Sequence, residues 1–531
     1  MVINMYKALR KKKIEEAAKN GQTAGQDSNK SSEKPKSKKI LLKTLDENIN
    51  LFKKVFSDDQ TIIFRQFQNK YLNAAKCCIV YVEGMVNSEV INENIIQPML
   101  RNDLTENISG QDLLDEIRTK VLFANEISVT DDFNDIASAM FIGDTVFLLD
   151  NYEKALIINT KGWQFRAISE PESAKVVRGP REGFTESISI NISLVRRRIK
   201  SNELKFKFKE IGHRTRTKTC ICYIDDIVSK DILAELERRL DEIDIDGILD
   251  SGYIQELIRD APFSPFETVG YTESPDVVAG NLLEGRIAIM VDGSPIALTV
   301  PFIIAETIQS NEDYYNNYIY ASINRIFRGM SFFLAISVPA IFTAIVTFHQ
   351  EMLPTPLLLS ISASREGVPF PSVLSMFIML LIFDILREVG TRMPASIGQA
   401  VNIVGTLVLG QAAVEARLVS APVVIITALT GIVTLMNINL IGATIIIRFV
   451  LLFASSFIGI YGFIFGFVAV LLHLMSIRSF GVPYMLNNTS VRNHNGQDIL
   501  IRAPWWSMTL RPKIIAARNL IRVKSNNKKG K

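Results

Sequence analysis

A long apolar stretch in the last third of the chain constrains the fold more than any other feature. Residues 329–475 are mostly apolar and carry few Lys or Arg, whereas residues 1–320 are charged and mixed in character. A helix of about 20 apolar residues is long enough to cross a bilayer. The 531-residue chain is therefore predicted to have a water-exposed N-terminal part followed by a helical membrane domain.

The apolar part divides into segments whose number conflicts with the surrounding charge. We identify five apolar segments: 331–348, 372–386, 396–414, 422–436 and 449–475. The region 478–531 contains eleven Lys or Arg and a single acid, Asp498, which favours the cytosolic side of a membrane. Arg325 and Arg328 favour the same side for the start of the first segment. Two ends on one side require an even number of crossings, so either one segment does not cross or a sixth crossing exists.

Composition and periodicity also suggest the domain boundaries. Residues 1–40 are lysine-rich, which predicts a disordered basic tail. They lack an apolar core of signal-peptide length, so we expect the N-terminal part to stay in the cytosol. Helical and strand-like patterns then alternate, and RIAIMVDGSPIALTVP at 286–301 is typical of a hairpin turning at Asp292–Gly293. We predict two cytosolic α/β lobes, an all-α polytopic membrane domain and a short basic C-terminal tail: 41–180, 181–320, 321–477 and 478–531.

The N-terminal part shows no pattern typical of catalysis. It contains no phosphate-binding loop, no dinucleotide fingerprint and no nucleophile elbow. The four cysteines occur as CC and CxC in strand-like runs, which favours buried reduced thiols, and the four histidines are scattered. We therefore expect a protein that is not an enzyme and that uses neither a metal nor a cofactor.

The segment ISASREGVPFP at 361–371 interrupts the apolar part with charges and helix breakers. A helix over 356–364 would rise only about 13 Å, which is too short to span a bilayer but suits an interfacial or re-entrant position. Gly367 and Pro369 end this helix. We predict a coupling or gating element here that uses Arg365, Glu366 and Pro369.

A second charged group follows the second apolar segment. Asp384, Arg387, Glu388 and Arg392 are spaced three and four residues apart, so opposite charges can pair along one helix face. A charge deep in lipid costs at least about 2.5–3.5 kcal/mol, which favours pairing or a wet cavity. The alternative is a solvated helix end, because only about 15 apolar residues precede the group.

The third apolar segment is unusually polar. In a ring of identical subunits it could line a narrow pore, with Glu415 and Arg417 at a charged mouth. The alternative is hydrogen bonding between neighbouring helices. The pore-lining or gating candidates are Gln399, Asn402, Val404, Gly405, Thr406 and Val408. In the last segment, Gly462 and Gly466 predict a close helix–helix contact.

Several long motifs resemble the A subunit of bacterial spore germinant receptors, the GerA family. The resemblance covers about 264–512, and residues 1–180 match only in general character. The matching motifs are SPFETVGYTESPDVVAGNLLEGRIAIMVDGSPIALTVP (264–301), HQEMLPTPLLLSISASREGVPFPSVL (349–374), FDILREVGTRMPASIGQAVNIVGTLVLGQAAVEARLVS (383–420), HLMSIRSFGVPYM (473–485) and RAPWWSMTLRP (502–512).

The resemblance implies a protein of the spore inner membrane with both terminal regions in the cytoplasm. It implies a transporter-like B subunit and a lipoprotein C subunit as partners, and homo-oligomers that release ions when a nutrient is sensed. Membrane lipid is an expected partner and nucleic acid is not. The alternatives are a secondary transporter for a small solute, a membrane-tethered scaffold or enzyme, and a related non-receptor spore protein of the same family.

Overall fold

The computed structural model describes two α/β lobes and a group of long apolar helices. The described residues are 40–68, 76–101, 114–115, 117–123, 126–162, 178–393, 410–485, 498, 500–508, 510–511, 515 and 519–522. The predicted fold class, two α/β lobes followed by a helical region, is confirmed.

Lobe 1 is built on a five-stranded antiparallel sheet with the strand order β1-β2-β4-β5-β3. The segment between Leu149 and Ala155 connects two short paired strands, with Asn151 at a positive φ of 69°. The elements are α1 (Leu45–Val55), β1 (Ile62–Gln68), β2 (Lys76–Val82), α2 (88–101, π-helical at Ile91–Ile96), β3 (Ile127–Thr130), α3 (Phe133–Met140), β4 (Thr145–Leu149) and β5 (Ala155–Ile158).

Lobe 2 repeats this topology, because its strand order β6-β7-β9-β10-β8 follows the same first-second-fourth-fifth-third pattern. The predicted hairpin at 286–301 is confirmed, with Leu298 paired to Ile289. The elements are α4 (Ile188–Arg198), β6 (Leu204–Ile211), β7 (Thr217–Ile224), α5 (Lys230–Asp241), α6 (Ser251–Ile258), β8 (Gly270–Thr272), α7 (Pro275–Leu283), β9 (Ile287–Val291) and β10 (Ala297–Val300).

Each sheet has a hydrophobic core on both of its faces. Side chains on a strand alternate between these faces, so neighbouring residues enter different cores. In β2, Cys78 packs in one core of lobe 1 and its neighbour Cys77 in the other. In β7, Cys220 and Cys222 are two residues apart and share one core of lobe 2. All four cysteines are buried free thiols, as predicted.

The two lobes are joined by a buried ion pair. Arg196 of α4 donates from Nη2 to Asp59 Oδ2 at 2.6 Å and to Thr61 Oγ1 at 2.8 Å, and neither charged side chain has exposed surface. The Arg196 guanidinium also lies over the Phe206 ring, 4.7 Å from its centroid. A desolvated, multiply bonded arginine at this position fixes one lobe against the other.

The described C-terminal part of the chain is mainly helical. The region from lobe 2 onwards contains α8 (Ile304–Ile308), α9 (Glu312–Tyr315), α10 (Tyr318–Phe348), α11 (Thr355–Arg365), α12 (Ser372–Arg392), α13 (Gly410–Glu415), α14 (Ala421–Thr434), α15 (Ile441–Ile458), α16 (Ile460–Ser476), β11 (Arg478–Ser479) and β12 (Val482–Pro483). By length and apolar composition, Tyr318–Phe348 and Ile438–Ile458 could cross a membrane, and Ala421–Thr434 and Ile460–Ser476 are shorter apolar helices.

The fifth predicted segment, 449–475, is wrong as a single span. The chain reverses at Gly459, which has φ 65° and ψ −139°, so α15 and α16 form an antiparallel helical hairpin. A Cβ on Gly462 would lie 2.2 Å from the Ala454 carbonyl oxygen, and one on Gly466 would lie 2.7 Å from Leu451 Cδ2. The predicted close contact at these glycines is therefore confirmed, and it lies between the two halves of this hairpin.

The helices run in alternating directions between a lobe end and a far end. At the lobe end, Asn437 Nδ2 donates to Ser331 Oγ at 2.9 Å. The end of α14 and the start of α15 therefore lie beside the N-terminal half of α10. At the far end, a Cβ on Gly459 would lie 2.9 Å from His349 Nε2, so α10 and α15 end together. α10 and α15 are thus parallel, and α14 and α16 run the opposite way.

Substitution of Gly462 by alanine is expected to lower the thermal unfolding midpoint of the detergent-solubilised protein. The added methyl group would collide with backbone, and overpacking of this kind costs typically 1–3 kcal/mol, here taken as about 2 kcal/mol. Gly442→Ala on α15 is the matched control, because nothing lies within 4 Å of its Cβ position. Equal midpoints for the two variants would contradict the close packing of this hairpin.

Candidate functional site

A buried charge network lies inside the helix group. Asp384 follows Met376 and Leu380 at four-residue intervals on α12, and these two side chains are fully buried, so Asp384 continues a face that packs inward. Its Oδ2 accepts a hydrogen bond from Nη2 of Arg448 on α15. Arg387 Nη1 lies 3.5 Å from Asp384 Oδ1. We name Asp384, Arg387 and Arg448 the charge network.

The charge network is strongly desolvated and carries excess positive charge. The exposed side-chain fractions are 0% for Arg448, 12% for Asp384 and 17% for Arg387. Two guanidinium groups face one carboxylate, and Arg448 Nε and Nη1 have no hydrogen-bond partner in the part of the chain that the structure describes. An anchor helix needs no such buried charges, because each costs stability in an apolar setting.

Arg448 is the functional candidate that sequence reasoning missed. It is the only Lys, Arg, Asp or Glu in 438–477, a run that otherwise reads as apolar helix. A lone charge in such a run indicates a partner elsewhere in the helix group, which was the available signal. The identity of that partner requires the fold, because Asp384 lies 64 residues away in the sequence.

The predicted charge group of α12 divides into a buried and an exposed half. Asp384 and Arg387 pair as the spacing predicted, but Glu388 does not join them. It pairs instead with Arg392, whose Nε lies 2.8 Å from Glu388 Oε1, and these side chains are 57% and 79% exposed. Burial thus fits the first half, and the solvated helix end fits the second.

The segment 361–371 lies at the far end of the helix group. α11 covers the range where the short helix was predicted, and Ile361 is its one buried residue. Arg365 ends α11, Glu366 and Pro369 are exposed, and Gly367 has φ 81°. A Cβ on Gly367 would lie 3.0 Å from Arg417 Nη1, so the glycine allows the Arg417 side chain to cross the break.

The predicted pore mouth is described, but the predicted pore lining is not. Glu415 Oε1 accepts a hydrogen bond from Gln411 Nε2 at 2.9 Å, and Arg417 has φ 55°. The pore-lining candidates lie outside the described residues: Gln399, Asn402, Val404, Gly405, Thr406 and Val408.

A second ion cluster, which we name the tail clasp, joins the start of α10 to the C-terminal tail. It consists of Asp313, Tyr314, Arg325, Arg328 and Asp498. The fully buried Arg325 donates to Asp313 Oδ2 at 2.8 Å and to Asp498 Oδ1 at 2.7 Å. Tyr314 donates to Asp498 Oδ2 at 2.6 Å, and Arg328 pairs with Asp313.

Burial governs the electrostatics of the tail clasp. It raises the pKa of Asp498, and the neighbouring Arg325 guanidinium opposes that rise. It also raises the pKa of Tyr314, which therefore remains a hydrogen-bond donor to Asp498 at neutral pH. The clasp holds the one acidic residue of the tail against the first long apolar helix.

The chain beyond α16 is built into lobe 2. Phe480 and Val482 pack in one of its cores, and Ser479 Oγ donates to the Thr268 carbonyl at 2.7 Å. A single apolar cluster, the lobe–helix joint, continues from lobe 2 into the helices. Its members are Phe266, Ile304, Ile336, Ala340, Leu440, Ala443, Ile447, Leu451, Leu474, Ile477 and Tyr484. Lobe 2 is therefore packed against both α10 and the α15–α16 hairpin.

A cavity of about 1060 Å³ lies between lobe 2, the start of α10 and the tail. Charged side chains on its wall pair with one another, as in Arg286 with Glu306 and Arg328 with Asp313. Burial lowers the pKa of Arg286 to about 10. These pairs neutralise much of the charge on the cavity wall from within the chain.

The fold defines a protein of two joined α/β lobes and a helix group in which two helices are long and apolar enough to cross a membrane. A model of the family described as Bacillus/Clostridium GerA spore germination protein matches residues 50–514. The chain belongs to this family of germinant-receptor A subunits, which is not a family of known enzymes, and the resemblance noted in the sequence is confirmed.

Two relatives with known sequences support this assignment. The chain is 41% identical to the "Uncharacterized membrane protein YfkQ" of Bacillus subtilis, over 88% of this chain and 90% of that protein. It is 40% identical to the "Spore germination protein KA" of the same species, over 91% and 89%. It is 34% identical to the solved N-terminal domain of the A subunit of the Bacillus megaterium spore germinant receptor GerK3, over 50% of this chain and 98% of that one, with a TM-score of 0.40.

Proposed function

We propose that the protein is a subunit of a nutrient receptor in the spore inner membrane that triggers germination by forming a ligand-gated ion path as an oligomer. The family match over 50–514 carries this proposal. The desolvated charge network supports it, because a helix group that serves only as an anchor gains nothing from burying Asp384 and Arg448. A transporter-like B subunit and a lipoprotein C subunit are the proposed partners.

We propose six crossings, with both terminal regions in the cytoplasm. The hairpin at Gly459 supplies the crossing that the five sequence segments lacked, so the even number required by the charged ends is met. The crossings are α10, α12, the third apolar segment, α14, α15 and α16. The third segment joins Met393, which follows α12, to Gly410, whose Cβ position lies 3.6 Å from Val424 near the start of α14.

The ion path is proposed to use the third segment. Substituting Val404 or Asn402 by a bulky residue is expected to slow ion release from spores after nutrient addition, because the larger side chain would narrow the proposed path. Ion release is measured alongside the amount of the protein in the spore membrane. Ile425→Phe on α14, whose side chain is 65% exposed, serves as the control. Normal release at a normal protein level would reject the pore role of this segment.

The 361–371 segment is proposed to couple a partner subunit to this path. Its exposed position at the far end supports that role, because Leu359 is 64% exposed and Phe370 is 40% exposed. Arg365→Ala and Pro369→Ala are expected to weaken the germination response without lowering the protein level. If assembly with the B subunit and germination both persist in these variants, the segment is a plain connector.

A related non-receptor role within the same family is the second candidate, and the 41% identity to YfkQ favours considering it. The two roles differ in their dependence on nutrient. If the protein is a receptor subunit, the ion release that depends on it requires an added nutrient. If it is a non-receptor member, the ion release that depends on it is the same for every trigger of germination. Uptake of a labelled solute by vesicles that contain this protein alone would instead indicate a secondary transporter.

A further inference from the structure

Lobe 2 exposes an apolar loop where it meets the helix group. Phe263, in the sequence Ala261-Pro262-Phe263-Ser264-Pro265-Phe266, has a relative exposure of 101%. Full burial of such a side chain is worth about 1.5–3 kcal/mol, so its complete exposure to water is unfavourable. On the preceding helix α6, Tyr253 and Leu257 are 43% and 51% exposed and lie four residues apart on one face.

The height of this loop relative to the helices follows from one contact. Ser264 Oγ lies 2.9 Å from His473 Nε2, and the Phe266 ring is 6.3 Å from the His473 ring. His473 lies three residues before the end of α16 at Ser476, which corresponds to about 4.5 Å along the helix axis. Phe263, adjacent to Ser264, therefore lies level with the lobe end of an apolar helix.

The loop conformation is fixed by internal bonds. Arg259 Nη2 donates to the Ser264 carbonyl at 2.8 Å and to the Phe266 carbonyl at 3.3 Å. Ser264 and Phe266, which follow Phe263 in the chain, are buried, whereas Phe263 itself points outward. A side chain presented from such a braced loop is held in its exposed position.

We propose that Phe263 inserts into the interfacial layer of the lipid bilayer and attaches lobe 2 to the membrane surface. This inference rests on the membrane placement of α16 proposed above. Lipid is the occupant because the exposed surface of α16 at the same end is also apolar, with Leu472 at 62% and Met475 at 57% exposure. The loop and α16 thus both expose apolar side chains at the same end of the helix group, as expected for groups that meet the lipid interface.

The insertion is tested by the environment of a fluorescent label on the full-length protein. The four native cysteines are buried, so a thiol-reactive nitrobenzoxadiazole dye reacts with an introduced cysteine. Phe263→Cys is labelled in nanodiscs of phosphatidylcholine and phosphatidylglycerol that contain nitroxide-bearing lipid. Phe465→Cys on α16, a 69% exposed position, is the lipid reference. Glu153→Cys on lobe 1, a 56% exposed side chain, is the water reference.

At position 263 we expect a blue-shifted emission, strong quenching by nitroxide lipid and quenching by aqueous iodide several-fold weaker than at 153. Quenching at 263 by iodide as strong as at 153 would overturn the inference. Protection from both quenchers would also overturn it, because a protein partner would then cover the loop. If nitroxide lipid quenches the label at neither 465 nor 263, the proposed membrane placement of α16 is rejected. If nitroxide lipid quenches the label at 465 but not at 263, only the proposed insertion of Phe263 is rejected.

Discussion

Replacement of Arg448 by glutamine is expected to destabilise the helix group by about 3–5 kcal/mol, the usual cost of breaking a buried ion pair. Among the residues that the structure describes, the substitution leaves the buried Asp384 with Arg387 alone, whose nearest nitrogen is 3.5 Å away. It also removes the charged link between α12 and α15. The expected readouts are a lower unfolding midpoint in detergent and a lower protein level in the membrane.

The exposed pair on the same helix provides the matched control. Arg392→Gln removes a partner of Glu388 where both side chains are more than half exposed, and such surface pairs contribute about 0–1 kcal/mol. If Arg448→Gln were no less stable than Arg392→Gln, the charge network would not hold the helices together.

Replacing both partners by leucine separates a structural role of the charge network from a functional one. Asp384→Leu combined with Arg448→Leu removes both charges together, and apolar replacement of a buried pair is often neutral or stabilising. We expect this double variant to regain part of the lost stability, because Arg387 is left without its carboxylate, but to respond poorly in germination. A normal response would assign the network to structure alone.

The sequence predicts the features that depend on local pattern. The hairpin at 286–301 has a turn sequence between two apolar runs, and α11 is bounded by Pro354 and Gly367, so neither needs distant contacts to be recognised. The three-residue spacing of Asp384 and Arg387 likewise predicts their pairing, because both residues lie on one helix face.

Features set by tertiary contacts escape the same reasoning. The chain reverses at Gly459 within an unbroken apolar run, where hydropathy is uniform and only the backbone angle distinguishes the turn. The start of the predicted basic tail packs into lobe 2, where Phe480 and Val482 are buried. The Phe480 amide donates a hydrogen bond to Asp260 Oδ2, and Ser479 Oγ donates to the Thr268 carbonyl. The shared strand order of the two lobes is likewise a tertiary feature, because it depends on which strands pair.

Replacement of Arg325 by leucine is expected to release the C-terminal tail and to lower stability by about 3–5 kcal/mol, because two carboxylates lose their shared buried cation. Asp313 retains Arg328, whereas Asp498 retains the hydroxyl of Tyr314 and the more distant charge of Arg502. The tail is rich in Lys and Arg, so its release is measured as faster trypsin cleavage beyond residue 485.

Two further variants make this expectation specific to the tail clasp. Arg214→Leu removes an exposed pair with Asp246, whose side chains are 84% and 79% exposed, and it should leave both stability and cleavage unchanged. Arg325→Leu combined with Asp498→Leu removes the unpaired carboxylate, so it should recover part of the stability. Because the clasp ties the tail to the first turns of α10, which the lobe–helix joint connects to the rest of the helices, release of the tail should also alter the germination response. Unchanged trypsin cleavage in Arg325→Leu would mean that other contacts hold the tail and that the clasp does not control it.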